Sequence, residues 1–232
     1  MILQSRRIAR LTAVAVTATV MAAGSTGTAS AKAAAFPHVT LVAAEAALPL
    51  AKTLPGGSFK LMGKVASERS GQTGVCNKTV TLHDVAEVAA VYSSRKSTAG
   101  STAGTDWTLG VAVFATPAQA ATAMRTIISL ERKCPTRQVY KGTGVHIGIH
   151  VTASGTYAVT GWSGYRTVEH QVIYIGTTAT PVSQLVVTLV RGNVLVTITE
   201  STAGAKVSDK VQDTRCRLVQ TRLLSALTHP KA

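Results

Sequence analysis

Between Trp107 and Pro135 the chain spells out a strand, a helix start and a helix stop in succession, and that order restricts the fold more than any other stretch. Trp107, Leu109, Val111 and Val113 alternate with small or polar neighbours, the period-two pattern of a strand with one buried face. Thr116-Pro117-Ala118-Gln119 follows. It offers a hydroxyl to the free amides of a helix, a proline where a missing N–H costs nothing, and a glutamine placed to complete a capping box. The helix so begun sets Gln119, Thr122, Thr126, Ser129 and Lys133 against Ala120, Met124, Ile127 and Ile128, the stripe of a helix lying on a sheet. Pro135 ends it, so Cys134 is held at the end of an anchored helix.

Cys76, Cys134 and Cys216 allow three pairings. The favoured one joins Cys76 to Cys134; it closes a loop of about 60 residues, for which the chain-entropy model gives roughly 4 kcal/mol. Cys216 falls on the same side of a helical segment as Val219, Leu223, Ala226 and Leu227, and is expected to be a buried, inert thiol.

That pairing requires an oxidising compartment, which the N-terminus supplies. Arg6, Arg7 and Arg10 precede an apolar run from about Leu11 to Ala23, and small residues end in Ala29-Ser30-Ala31. This is the pattern of a secretory signal peptide over residues 1–31, followed by one domain over 32–232. No other stretch approaches the ~20 apolar residues of a membrane helix. The net charge of +14 would draw a secreted protein to phospholipid headgroups or wall polymers. The basic residues are nevertheless spread along the chain, as a solvated surface spreads them.

The remaining elements are read in order. Leu41 to Lys52 contains a short helix, and Phe59 to Gly74, rich in glycine, lysine and serine, reads as loops around one short strand. Val85 to Ser93 is a strand, and Arg95 to Asp106, with its tandem Ser-Thr-Ala-Gly, a hairpin tip. Beyond the helix, strands are predicted from Val145 to Val151, then, after a turn at Ala153-Ser154-Gly155, from Thr156 to Trp162, and at 167–176, 183–190 and 194–199. Val207 to Leu227 is a helix, with Ser208 as its cap. The sum is α+β: an antiparallel sheet of several strands with helices packed on one face.

The order of a strand, Phe114-Ala-Thr-Pro-Ala-Gln-Ala120 entering a helix, Cys134 at its end, antiparallel strands, Val187-Thr-Leu-Val-Arg-Gly-Asn-Val-Leu-Val-Thr-Ile198 and a closing helix resembles a known family. It is similar to the PknH-like extracellular sensor domain of actinobacterial transmembrane serine/threonine kinases and to its stand-alone secreted relatives, over roughly Phe36 to Leu227. The resemblance implies ligand sensing through a cleft between sheet and helices, without catalysis. Leu130 and Glu131 stand where the family has tryptophan, and three cysteines permit one of the two disulfides of the kinase version.

Tests for chemistry point the same way. Gly161-Trp162-Ser163-Gly164 lacks the G-x-S-x-G spacing of a nucleophile elbow. His146 and His150 share a strand face about 13 Å apart, too far to hold one ion, so neither a metal nor another cofactor is expected. Trp162, Tyr165 and Arg166, with Glu169 and His170 beyond, form the cluster most suited to a ligand: aromatic faces and a guanidinium at a turn, able to meet a sugar or a lipid phosphate. Trp162, Tyr165, Arg166 and His170 are therefore the candidate binding residues, the alternative being a rigid hairpin whose aromatics cap the edge of the core. Of basic residues interleaved with aromatics in the way that holds nucleic acid, only Arg166 meets the pattern. The expectation is a secreted, extracellular, non-catalytic binding or sensing protein of the bacterial envelope, free or wall-associated, with an anionic lipid or glycan as ligand class. The alternatives are a secreted hydrolase without a recognisable motif and a polyanion-binding wall protein.

Overall fold

The computed structural model describes residues 36–232 except 69, 76, 77, 84, 95, 99, 100, 143, 144, 205, 206 and 230–232. The signal peptide expected over 1–31 and Cys76, with its expected bond to Cys134, lie outside the described residues.

Helix α1 (Leu41–Ala47) and a 3-10 turn (Ala51–Thr53) lead into β1 (Lys60–Ser67), β2 (Ser70–Val75), β3 (Lys78–His83), β4 (Val85–Ser93), β5 (Lys96–Thr98) and β6 (Ser101–Phe114). After α2 (Pro117–Glu131) come β7 (Arg137–Gly142), β8 (Val145–Val159), β9 (Trp162–Ile175), β10 (Thr178–Arg191), β11 (Val194–Ala203) and α3 (Asp209–Thr228). The main sheet runs β1-β4-β6-β11-β10-β9-β8-β7, with β5 paired to β6, while β2 and β3 form their own hairpin. Every pairing is antiparallel. The α+β reading holds.

The helices, however, occupy both faces. Trp107, Leu109, Val111 and Val113 of β6 and Val194, Val196 and Ile198 of β11 pack with Val219, Leu223 and Leu227 of α3 and Ala44 and Ala47 of α1. The intervening Ala112, Phe114 and Leu195 pack with Ala120, Met124 and Ile127 of α2. Successive strand residues point to opposite faces, so α2 covers one side and α1 with α3 the other. Helices on one face, as expected, describes α1 and α3 but not α2: Ala112 and Phe114 of β6 and Leu195 of β11 put apolar side chains on the second face as well, and Ala120, Met124 and Ile127 cover them there.

Three local readings also change. Phe59 to Gly74 forms β1 and β2, not loops around one strand; β1 is an edge strand exposed along almost its whole length, so no alternation marks it. The turn expected at Ala153-Ser154-Gly155 is strand, with a register shift between Val151 and Ala153, and the chain reverses later, at Gly161. The hairpin expected over Arg95 to Asp106 is present, but it is mostly paired strand and not tip, since β6 begins at Ser101 and β5 answers it from Lys96.

The central helix follows its sequence closely. Thr116 Oγ1 accepts from Gln119 N at 3.3 Å, and Gln119 Oε1 accepts from Thr116 N at 3.0 Å, both halves of the capping box. The β10–β11 turn is stapled to the N-terminal segment by buried Asn193. Its amide accepts from Val39 N at 3.0 Å and donates to Val39 O at 2.9 Å and Phe114 O at 3.1 Å. Ser208 does stand at the N-cap of α3, but its side chain makes no capping bond; its carbonyl accepts from Val211 N and Gln212 N.

Candidate functional site

The anchoring of α2 by Ala120, Met124 and Ile127 leaves the next strip of the helix free to form one wall of a cleft, and β3 forms the other. The cleft has a volume of about 480 Å³. Val80, Leu82, Phe114, Ala118, Ala123 and Ile127 give it apolar surfaces, while Thr81, Gln119, Thr122 and Thr126 supply hydroxyls and an amide. Its size and its mixture of apolar wall and few polar groups are those of a small-molecule site. Among its described lining residues the titratable side chain is His83. The cleft is thus suited to holding an apolar body by one polar end.

On the opposite face, the cluster singled out in the sequence divides. Trp162, Arg166 and His170 point to the α3 side and Tyr165 to the α2 side, because positions three apart on a strand face opposite ways. Trp162 and Tyr165 are both buried, at 4% and 6% exposure, and the turn lies before Trp162. Phe36 meets the Trp162 indole edge-on, with ring centroids 5.5 Å apart.

Arg166 and His170 are brought together along α3. Arg166 Nη2 lies 3.2 Å from Asp213 Oδ1, and Asp213 Oδ2 takes Arg217 Nε at 2.9 Å. His170 Nε2 is 3.5 Å from Asp209 Oδ1, and its Nδ1 is 3.3 Å from Ser183 Oγ. Further along the same interface Arg215 Nη1 meets Glu200 Oε1 at 3.2 Å, Gln212 Nε2 donates to Ser183 O at 3.0 Å, and Tyr157 Oη donates to Gln220 Oε1 at 3.2 Å. The helix therefore docks through a polar seam within its apolar stripe. That seam leaves Trp107 Nε1, Arg166 Nε, Glu200 Oε2, Gln212 Oε1 and Gln220 Nε2 buried without a partner among the described residues.

Burial also governs the acids. Glu200, fully buried on β11, is pushed up to about 7 by desolvation, which outweighs the bond and charge of Arg215. Glu131, at the end of α2, rises to about 7, first by burial and then by the charge of Glu169, against a bond from Thr167. Glu169 is raised by burial, with Gln171 donating to it at 3.0 Å. Neither Glu131 nor Glu169 lines the α2 cleft. Cys216 is buried, and its thiol is pushed up to about 12, chiefly by desolvation, which makes it the inert group expected. His146 and His150 are exposed on β8, and no group of three metal-ligating side chains occurs among the described residues.

Sequence reasoning passed over Glu200, Gln212, Gln220 and Arg191. Glu200 shares the parity of Val194, Val196 and Ile198, and the two glutamines lie in the stripe that holds Cys216 and Leu223; those periods were the available signal. For Arg191, at the β10–β11 reversal, no periodic signal exists.

No family model matches the chain, and no curated protein matches it. Among solved structures, its fold is similar to that of the extracellular domain of PknH from Mycobacterium tuberculosis, with a TM-score of 0.52 and 11% sequence identity, over 81% of this chain and 98% of that one. The likeness is one of fold. No helix among the described residues is long and apolar enough to cross a membrane.

Proposed function

We propose that this protein is a secreted, non-catalytic ligand-binding or sensing protein of the bacterial envelope. The observation that carries the reading is the cleft of about 480 Å³ between α2 and β3. Its walls suit an acyl chain or a ring, and its hydroxyls and amide suit one polar head. Fold similarity to an extracellular domain supports the sensing role, and the N-terminal leader pattern supports secretion. A hydrolase would want its raised acids in the cleft; here Glu131 and Glu169 stand outside it.

Thermal-shift screening of the purified protein against phospholipids, lysolipids and wall glycans tests this, since a ligand that prefers the folded state raises the melting temperature. Ala123→Trp, which fills the cleft, abolishes the shift. An equal shift in that variant overturns the assignment of the cleft.

A further inference from the structure

The polar seam beneath α3 opens, at the C-terminal half of the helix, into a second cleft of about 360 Å³ on the face of the sheet opposite the first. We infer that this cleft is a binding site for a small anion, a phosphate or carboxylate carried on a compact organic body.

Two donors carry the inference. Arg191 is pinned in place: its Cζ lies 4.9 Å from the centre of the Phe36 ring. On its other side a Cβ at Gly161, where φ is +74°, would come within 2.9 Å of that carbon, so the bare glycine makes room for the guanidinium. Arg191 has no carboxylate or hydrogen-bond partner among the described residues. A planar, pre-oriented guanidinium with its edge unspent is the group that grips phosphate and carboxylate in two-point fashion.

The second donor is Gln220. Only 2% exposed, it lines the same cleft, and Tyr157 occupies its carbonyl oxygen while its Nε2 is shut from water with no acceptor. Leaving a buried donor unmet is expensive, and an acceptor arriving in the cleft removes that cost.

The rest of the lining agrees in sign. Among the described residues no carboxylate lines the cleft; Arg217, on its wall, has Asp213 as partner, and that acid is shared with Arg166. The volume exceeds what a bare oxyanion fills, and Trp162 with Leu224 offers an apolar wall to whatever carries the charge. Of the four binding residues read from the sequence, Trp162 is the one that lines this cleft, and Arg166 acts one step away through Asp213.

The full chain, isotopically labelled, is titrated with inorganic phosphate, glycerol 3-phosphate and succinate at constant ionic strength. The Trp162 indole and Gln220 side-chain amide resonances are followed. Saturable shifts at millimolar concentration or below are expected from at least one probe. A response confined to the two phosphates identifies a phosphate ligand, and one confined to succinate a carboxylate. Arg191→Met and Gln220→Leu each weaken the response at least tenfold, and Arg191→Lys, keeping charge without the planar fork, weakens it less than Arg191→Met. Ala123→Trp, in the other cleft, leaves it unchanged, which separates failure here from failure of the first reading. Shifts that never saturate, or that survive Arg191→Met, overturn the inference; Arg191 is partly exposed, so that variant is expected to keep the fold.

Discussion

Replacing Glu200 by glutamine should remove a large part of the pH dependence of stability. Glu200 is fully buried between β11 and α3, its Oε1 3.2 Å from Arg215 and its Oε2 without a partner. Its pKa in the fold is about 7 against 4.5 for the ordinary group. Because the folded value is the higher one, the fold prefers the protonated acid. The stabilisation is whole below about pH 4.5 and is lost as pH rises through 7. At about 1.4 kcal/mol per unit, the shift corresponds to about 3 kcal/mol between the two ends of that window. Glutamine mimics the protonated acid, so Glu200→Gln should hold its low-pH stability at pH 8. Urea unfolding of both proteins at pH 5 and pH 8 captures most of that window, and the acid-induced gain should be smaller in the variant by about 2 to 3 kcal/mol. Glu131 and Glu169, raised in the same direction, titrate in both proteins and cancel. An identical pH dependence in the two refutes the burial argument.

Thr116→Ala removes the side-chain half of the capping box and should lower stability by about 1 kcal/mol in urea titration. Gly164→Ala places a Cβ against the Thr188 carbonyl oxygen of the neighbouring strand, a backbone atom that cannot swing away. A loss of at least about 2 kcal/mol is expected by the same assay. Non-reducing peptide mapping should recover Cys76 and Cys134 in one linked peptide and Cys216 as a free thiol that alkylates only after denaturation.

The parts of the fold that could be read in the sequence are those in which the deciding interactions are local. Thr116 and Gln119 are three residues apart and cap each other wherever the helix lies, and the β6 alternation depends on the strand alone. β1 was hidden because an edge strand exposed on both faces has no hydrophobic parity to display. The bulge near Thr152 looks like a turn in the sequence because Ala153-Ser154-Gly155 has turn composition, while partners on β9 hold these residues in the strand. The division of Trp162 from Tyr165 follows from where β9 starts, one residue after the Gly161 turn and not within the cluster. Arg191 meets Phe36 across most of the chain, a contact that no pattern of spacing announces.

The most direct measurement is a residue-by-residue map of chemical-shift changes on saturation with a lipid or glycan that raises the melting temperature. The changes should cluster on residues 80–83 and along α2 from Ala118 to Ile127, with little effect on the solvent-facing side of β1. A map scattered over the surface, or one that leaves α2 and β3 untouched, would contradict the cleft as the seat of binding.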